Sequence, residues 1–223
     1  MAAIGEDLDW KMEKTHKLMS ETESPVLVFA THNENKAKEV QQMLRGIYQI
    51  KTLSEIGCFD DIPETADTLE GNARLKARYV NERFGLDCFA DDTGLEVDAL
   101  GGAPGVRTAR YAGDEADAQK NMSKLLQALG DQPLESRGAR FRTSICLIQQ
   151  GHERYFEGVC SGHIAESLSG TQGFGYDPVF VPDGFNVTFA EMSSDQKNEL
   201  SHRGLAVRKM VNDLLASSEA EER

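Results

Sequence analysis

The chain has 223 residues, with 24 Lys plus Arg against 37 Asp plus Glu, for a formal net charge of −13. That length supports one large domain or two small ones around a sizeable core, while the acid excess opposes general binding to nucleic-acid polymers. The longest clean apolar run, residues 26–30, falls far short of the roughly 18 residues a membrane span needs. The first residues are polar and acidic without an apolar h-region, so no secretory or organelle leader is expected and the cytoplasm is the default location.

Residues 1–24 lack regular periodicity and end at Ser24 and Pro25, which reads as an appendage with a short helix near residues 10–18. Residues 25–217 contain no internal repeat or linker and read as a single domain, with 218–223 as a solvated tail. Within that domain, residues 26–30 have the apolar, β-branched character of a buried strand. Ala37, Val40 and Leu44 then mark a helix that Gly46 stops. Leu69, Ala73, Ala77, Val80 and Phe84 share one face of a second helix, closed by Gly85. A short strand at 88–91 runs into Asp91-Asp92-Thr93-Gly94. Ala118, Met122, Leu125 and Leu129 form the stripe of a third helix before Gly130. Residues 140–149 and 154–164 alternate well enough for an antiparallel hairpin around Gln150 and Gly151. A last helix, from about Ser201, buries Val207, Met210 or Val211, and Leu214. Strands alternating with helices, then a hairpin, predict an α/β protein with a mixed sheet.

Cys58, Cys88, Cys146 and Cys160 form no Cys-x-x-Cys pair and are expected as buried thiols rather than a disulfide or zinc site. There is no P-loop signature, no His-Glu-x-x-His and no Gly-x-Ser-x-Gly. Chemistry concentrates instead in six segments. Residues 31–36, Thr31 to Lys36, lie between a strand and a helix, where unpaired N–H groups and the helix dipole suit phosphate. Asn72 and Lys76, an i, i+4 pair, border an apolar helix face. Asp91 and Asp92 end an apolar strand, where like charges raise one another's pKa unless a hard divalent ion offsets them. Side chains alternate along a strand, so one of the two should enter a given site, and Glu64 could add a second carboxylate. Residues 101–105 make a tight Gly- and Pro-rich loop before Arg107 and Arg110. Residues 173–178, Gly-Phe-Gly-Tyr-Asp-Pro, offer an aromatic platform for a nucleobase and a carboxylate for ring N–H groups. Lys197 and residues 201–204, Ser-His-Arg-Gly, bring donors to the start of the last helix.

In their order, five blocks resemble the inosine triphosphatase-type family of noncanonical purine nucleoside triphosphate pyrophosphatases. They are ATHNENK at 30–36, ETADTLEGNARLKAR at 64–78, ADDTGLEVDALGGAPGVRTARYAG at 90–113, GFGYDPVF at 173–180 and FAEMSSDQKNELSHRG at 189–204. The resemblance spans residues 26–215. It implies an elongated mixed sheet flanked by helices, with two lobes about a central cleft, commonly as a homodimer. It implies Mg²⁺-dependent cleavage of ITP, dITP or XTP to the monophosphate and pyrophosphate.

By the same resemblance, Thr31, Asn33, Lys36, Lys76 and Lys197 contact phosphates. Asp92 binds Mg²⁺ or activates water, with Asp91 and Glu64 in support, and Thr93 matches the Ser/Thr beside it. Phe174 stacks on the base, whose edge Asp177, His202 and Arg203 read. His32, Glu34, Asn35, Gly175 and Tyr176 complete the implied substrate contacts. His32 stands where many relatives have glycine, and Gly71 where many have an acid, which leaves Glu64 and Glu70 competing as the second metal ligand. A related pyrophosphatase for modified pyrimidine nucleotides, or an inactive nucleotide sensor, are the alternative readings.

Overall fold

In this computed structural model, residues 25–221 are described; the helix expected near residues 10–18 lies outside them. Three parallel strands begin the fold: β1 (Val26–Phe29), β2 (Gln49–Thr52) and β3 (Cys88–Val97). The helices α1 (Glu34–Met43) and α2 (Leu69–Phe84) cross between them. The sheet order is β2-β1-β3, so α1 connects outward from β1 and α2 returns past it. Right-handed crossovers in opposite directions put the two helices on opposite faces. The core follows that rule. Leu27 and Phe29 pack with Val40 and Leu44 of α1, whereas Val28 and Ala30 pack with Ala73, Ala77 and Val80 of α2.

The rest of the sheet is antiparallel. The two-residue β4 (Pro104–Gly105) pairs with β3, which also pairs along all ten residues with β5 (Gly138–Gln149). β6 (His152–Ile164) continues from β5, and β7 (Phe180–Pro182) forms the far edge. The helix α3 (Ala118–Leu129) buries Met122, Leu125 and Leu129 beside Phe180 and Phe189, in a second core at that end. Two helices close the chain, α4 (Ser194–Leu200) and α5 (His202–Glu221). Ala206, Val207, Met210, Val211 and Leu214 of α5 join the α1 side of the core. This is the mixed α/β architecture expected from the sequence, with all four cysteines free and buried. Burial pushes the Cys88 and Cys160 thiols up to about 12, which keeps them inert.

Some elements differ from expectation. β3 does not stop at Asp91 but continues to Val97, because cations facing each carboxylate remove the electrostatic reason to leave the sheet. Gly94 also admits β4: a Cβ there would lie 2.9 Å from the Gly105 carbonyl oxygen. β2 buries only Ile50 and so carries little hydrophobic pattern. α4 buries only Lys197, and depends on a capping box between Ser193 and Gln196 rather than on an apolar stripe. The last helix reaches Glu221, into the stretch expected as tail.

Candidate active site

The crossover reversal leaves a gap beside β3. β1 accompanies β3 only at Cys88 and Phe89, and β4 rejoins that edge at Leu95 and Glu96. Crevices at the carboxyl ends of parallel strands, where the strand order reverses, are the usual ligand sites of such sheets. Here a cleft of about 610 Å³ opens, walled by the β1–α1 turn, Lys76, Asp92, Thr93, residues 174–177 and the start of α5.

The paired acids of β3 point to opposite faces. Asp91, 2% exposed, faces α5 and accepts from Lys36 Nζ at 2.8 Å and Arg203 Nε at 3.0 Å. Burial opposes its charge, yet Lys36, Arg203 and Lys76 hold its carboxyl well below the usual carboxylate range. It does not reach the cleft wall. Asp92 faces α2 and does. Its Oδ2 accepts from Asn72 Nδ2 at 3.1 Å, its Oδ1 accepts from the Thr93 N–H at 2.9 Å, and Lys76 Nζ stands 4.0 Å away. Burial outweighs the lowering effect of Lys76 and Lys36, so the Asp92 pKa lies above the ordinary carboxylate value. Two adjacent residues of one type thus have opposite shifts, and the group with the raised pKa lines the cleft.

Lys76 joins the acids. Its Nζ donates to Glu64 Oε1 at 2.5 Å and to the Asp91 carbonyl at 2.7 Å, on the edge that β1 leaves open. Burial disfavours this ammonium, but Asp92, Glu64 and Asp91 together raise its pKa. Glu64 lines the cleft and its second oxygen meets Arg110 at 3.4 Å. Burial notwithstanding, Lys76, Lys36 and Arg110 lower its pKa. Glu70 is exposed on the first turn of α2 and lies outside the cleft, so of the two competing acids only Glu64 lies beside Asp92.

The β1–α1 turn forms the adjoining wall. Asn33 caps α1 by accepting from the Asn35 and Lys36 N–H groups, while Thr31 Oγ1 accepts from the Asn33 N–H at 3.1 Å. His32 Nε2 donates to the Asp60 carbonyl at 2.9 Å, tying this turn to the loop that carries Glu64. Thr31, His32, Asn33, Asn35 and Lys36 all line the cleft. Glu34 does not; it lies exposed, 3.9 Å from Lys38.

The far wall is the 173–177 loop. Gly173 has φ +74°, and a Cβ on it would come within 2.0 Å of Asp177 Oδ2, so only glycine fits. Asp177 Oδ2 accepts from the Phe174 N–H and from Lys197 Nζ, each at 2.7 Å. Tyr176 donates to the Thr108 carbonyl at 2.9 Å, anchoring the loop to the opposite wall. The ring of Phe174 faces two cations, Lys197 Nζ at 4.9 Å and the Arg203 guanidinium at 5.6 Å from its centroid. Both cations also bind Glu39 of α1, at 2.7 Å each. His202 stacks on Phe141 with 4.5 Å between centroids. Burial, reinforced by Arg203 and Lys197, lowers its pKa well below the ordinary histidine value, and its Nδ1 has no partner among the described residues.

Glu39 was not anticipated from the sequence. It lies one turn after Lys36, the i, i+3 spacing that could have marked it. Asp61 on the cleft wall and Thr143 behind it carry no sequence signal, because loop residues and a cross-strand partner have no local periodicity.

A cleft with lysines and carboxylates at one end, and an aromatic with hydrogen-bond donors at the other, defines a nucleotide-binding α/β protein. The Ham1 family model matches residues 27–213, and the chain belongs to the Ham1 family. It is 52% identical over 191 residues to a Flavobacterium johnsoniae protein named dITP/XTP pyrophosphatase, covering 86% of this chain and 98% of that one. It is 53% identical over 191 residues to a protein of the same name from Porphyromonas gingivalis, again covering 86% and 98%. The Ham1 protein structure of Staphylococcus aureus superposes with a TM-score of 0.75 at 36% identity, covering 88% of this chain and 99% of that one. That of a Coxiella burnetii HAM1 protein gives 0.77 at 36% identity, covering 85% and 98%.

Proposed function

We propose that this chain hydrolyses noncanonical purine nucleoside triphosphates, the class of ITP, dITP and XTP, to the monophosphate and pyrophosphate. Supporting this, two relatives at 52% and 53% identity are named dITP/XTP pyrophosphatase. The observation that carries it is the single cleft in which Asp92 and Lys76 face Phe174, Lys197 and Arg203. In the proposed reaction, water attacks phosphorus across the α–β anhydride. The bridging oxygen leaves with pyrophosphate, and Asp92 accepts the proton of the attacking water.

Lys36, Lys76 and the β1–α1 turn, Thr31 to Asn35, serve the phosphates in this reading. Thr93 stands beside Asp92, and Asp91 acts through Lys36 and Arg203 rather than on the substrate. The five cations Lys36, Lys76, Arg110, Lys197 and Arg203 each meet a carboxylate among Glu39, Glu64, Asp91 and Asp177. Little positive charge is therefore left over for a triphosphate. A hard divalent cation fits that deficit, and Mg²⁺ takes one or two carboxylates plus substrate oxygens. Glu64 and Asp92, brought together around Lys76, are the donors that would hold it. When bound, it offsets phosphate charge as a Lewis acid.

Base choice rests on donors. A 6-oxo group accepts hydrogen bonds where the amino group of adenine donates them. Arg203 always donates, and Lys197 and neutral His202 stand beside it, so adenine leaves these groups mispaired. Phe174 supplies the stacking face, with Gly175 and Tyr176 fixing its loop, and Asp177 holds Lys197. Residues 25–217 act as one domain, and a cytoplasmic homodimer completes the reading, to be checked by light scattering. Among the described residues, no helix is long and apolar enough to cross a membrane.

The deciding experiment is pyrophosphate release from ITP, XTP, GTP, ATP and UTP with Mg²⁺ and then with EDTA. Fast release from ITP or XTP that EDTA abolishes is expected, with little from ATP, GTP or UTP. A preference for UTP would favour the pyrimidine alternative. Binding of ITP without pyrophosphate release would overturn catalysis altogether.

A further inference from the structure

Thr93 and Thr143 face one another across the β3–β5 pair, with their Oγ1 atoms 2.7 Å apart. Thr93 lines the cleft, whereas Thr143 is fully buried behind it. The surroundings of the two hydroxyls bear on which one donates. Arg203 Nη2 donates to Thr93 Oγ1 at 3.2 Å, and a guanidinium has no accepting role. The Thr143 hydroxyl has no other hydrogen-bond partner among the described residues, so a bond donated by Thr93 would strand the Thr143 hydrogen in the core. If Thr143 donates instead, both lone pairs of Thr93 are filled, one by Arg203 and one by Thr143. The Thr93 hydrogen is then left with a single protein acceptor, Asp91 Oδ2, at a long 3.5 Å.

We propose that Thr143 is a positioning residue: by donating to Thr93 it leaves the Thr93 hydroxyl only a donor's role, toward the distant Asp91 Oδ2 in the free protein and toward an acceptor in the cleft when one is bound. The group that accepts there is an oxygen of the triphosphate, which is acceptor-only, on the Lys36 and Arg203 side of β3. This last identification rests on the pyrophosphatase reading; the direction of the Thr143 to Thr93 bond does not. A hydroxyl that could rotate freely would spend part of its time offering a lone pair to an anion. Filling both lone pairs beforehand removes that choice.

The test compares kcat/KM for ITP in wild type, Thr143→Val, Thr143→Ser, Thr93→Val and the double valine variant. Thr143→Val should lower kcat/KM about fivefold, the scale of one net hydrogen bond. Thr143→Ser should return it to within about twofold, since serine keeps the donor. In the Thr93→Val background, Thr143→Val should change nothing further, which a merely structural role would not produce. Equal losses in both backgrounds, or no loss in either, would overturn the proposal. Independently of activity, a slowly exchanging hydroxyl proton in the NMR spectrum of the free protein should belong to Thr143. Assignment of that proton to Thr93 would reverse the bond and sink the inference. Protection at Thr143 in a protein that releases no pyrophosphate from ITP would support the hydrogen-bond direction while removing the pyrophosphatase reading.

Discussion

Asp91 and Asp92 are covalent neighbours whose carboxylates occupy opposite faces of β3. Asp91 is clamped between Lys36 and Arg203 on the α5 side, and Asp92 lies on the cleft wall against Asn72 on the α2 side. Both are buried, but Asp91 faces cations that outweigh its burial and Asp92 faces cations that do not. The same substitution should therefore fail in different ways at the two positions.

Asp92→Asn removes the carboxylate but keeps a side chain of the same shape beside Asn72. Turnover of ITP should fall by about 10²- to 10⁴-fold, the range for losing a positioned general base. The folded state should survive, as judged by an unchanged circular dichroism spectrum. An unaltered kcat would remove Asp92 from the chemistry.

Asp91→Asn leaves Lys36 and Arg203 buried without their shared counter-charge. Breaking a buried pair in this way costs about 3–5 kcal/mol, measurable by urea denaturation at neutral pH. The sign with pH follows from its depressed folded-state pKa. The ionised carboxylate stabilises the fold above its unfolded pKa of about 3.9, and that contribution disappears as pH falls toward the folded value. The gap between wild type and Asp91→Asn should therefore narrow below about pH 4. A gap independent of pH would show that the loss is one of packing alone.

Arg203→Ala should relax base choice more than it weakens phosphate binding. One mispaired polar group contributes roughly 1–3 kcal/mol, so the ITP-to-ATP ratio of kcat/KM should fall about 10- to 100-fold. The variant also leaves Asp91 and Glu39 short of a cation, and its stability should drop. The ratio of two substrates within one preparation is insensitive to that loss. A ratio equal to wild type would show that Arg203 does not read the base.

Phe174→Ala removes the aromatic face opposite Lys197 and Arg203. Loss of base stacking, about 1–3 kcal/mol per base, should appear chiefly as a higher KM for ITP. An equal KM would place the base elsewhere in the cleft.

Most of the framework was legible because it is local. The α2 and α3 stripes end at Gly85 and Gly130, and the β5–β6 hairpin turns at Gln150 and Gly151, where the sequence places them. Those features depend on periodicity and backbone conformation, which neighbouring residues determine. β2 and α4 escaped because each buries one side chain and carries no periodic signal. β3 was cut short at Asp91 for a different reason. In isolation two adjacent acids argue against a strand, and the cations that pair with the first of them lie 55 and 112 residues away, on α1 and α5. The sequence by itself thus determined which residue types and blocks could bind a nucleotide. Tertiary structure decided the division of labour: which aspartate meets the cleft, that Glu39 holds Lys197 and Arg203 together, and that Thr143 backs Thr93. Those are electrostatic and hydrogen-bond relations between distant segments, and no local pattern encodes them.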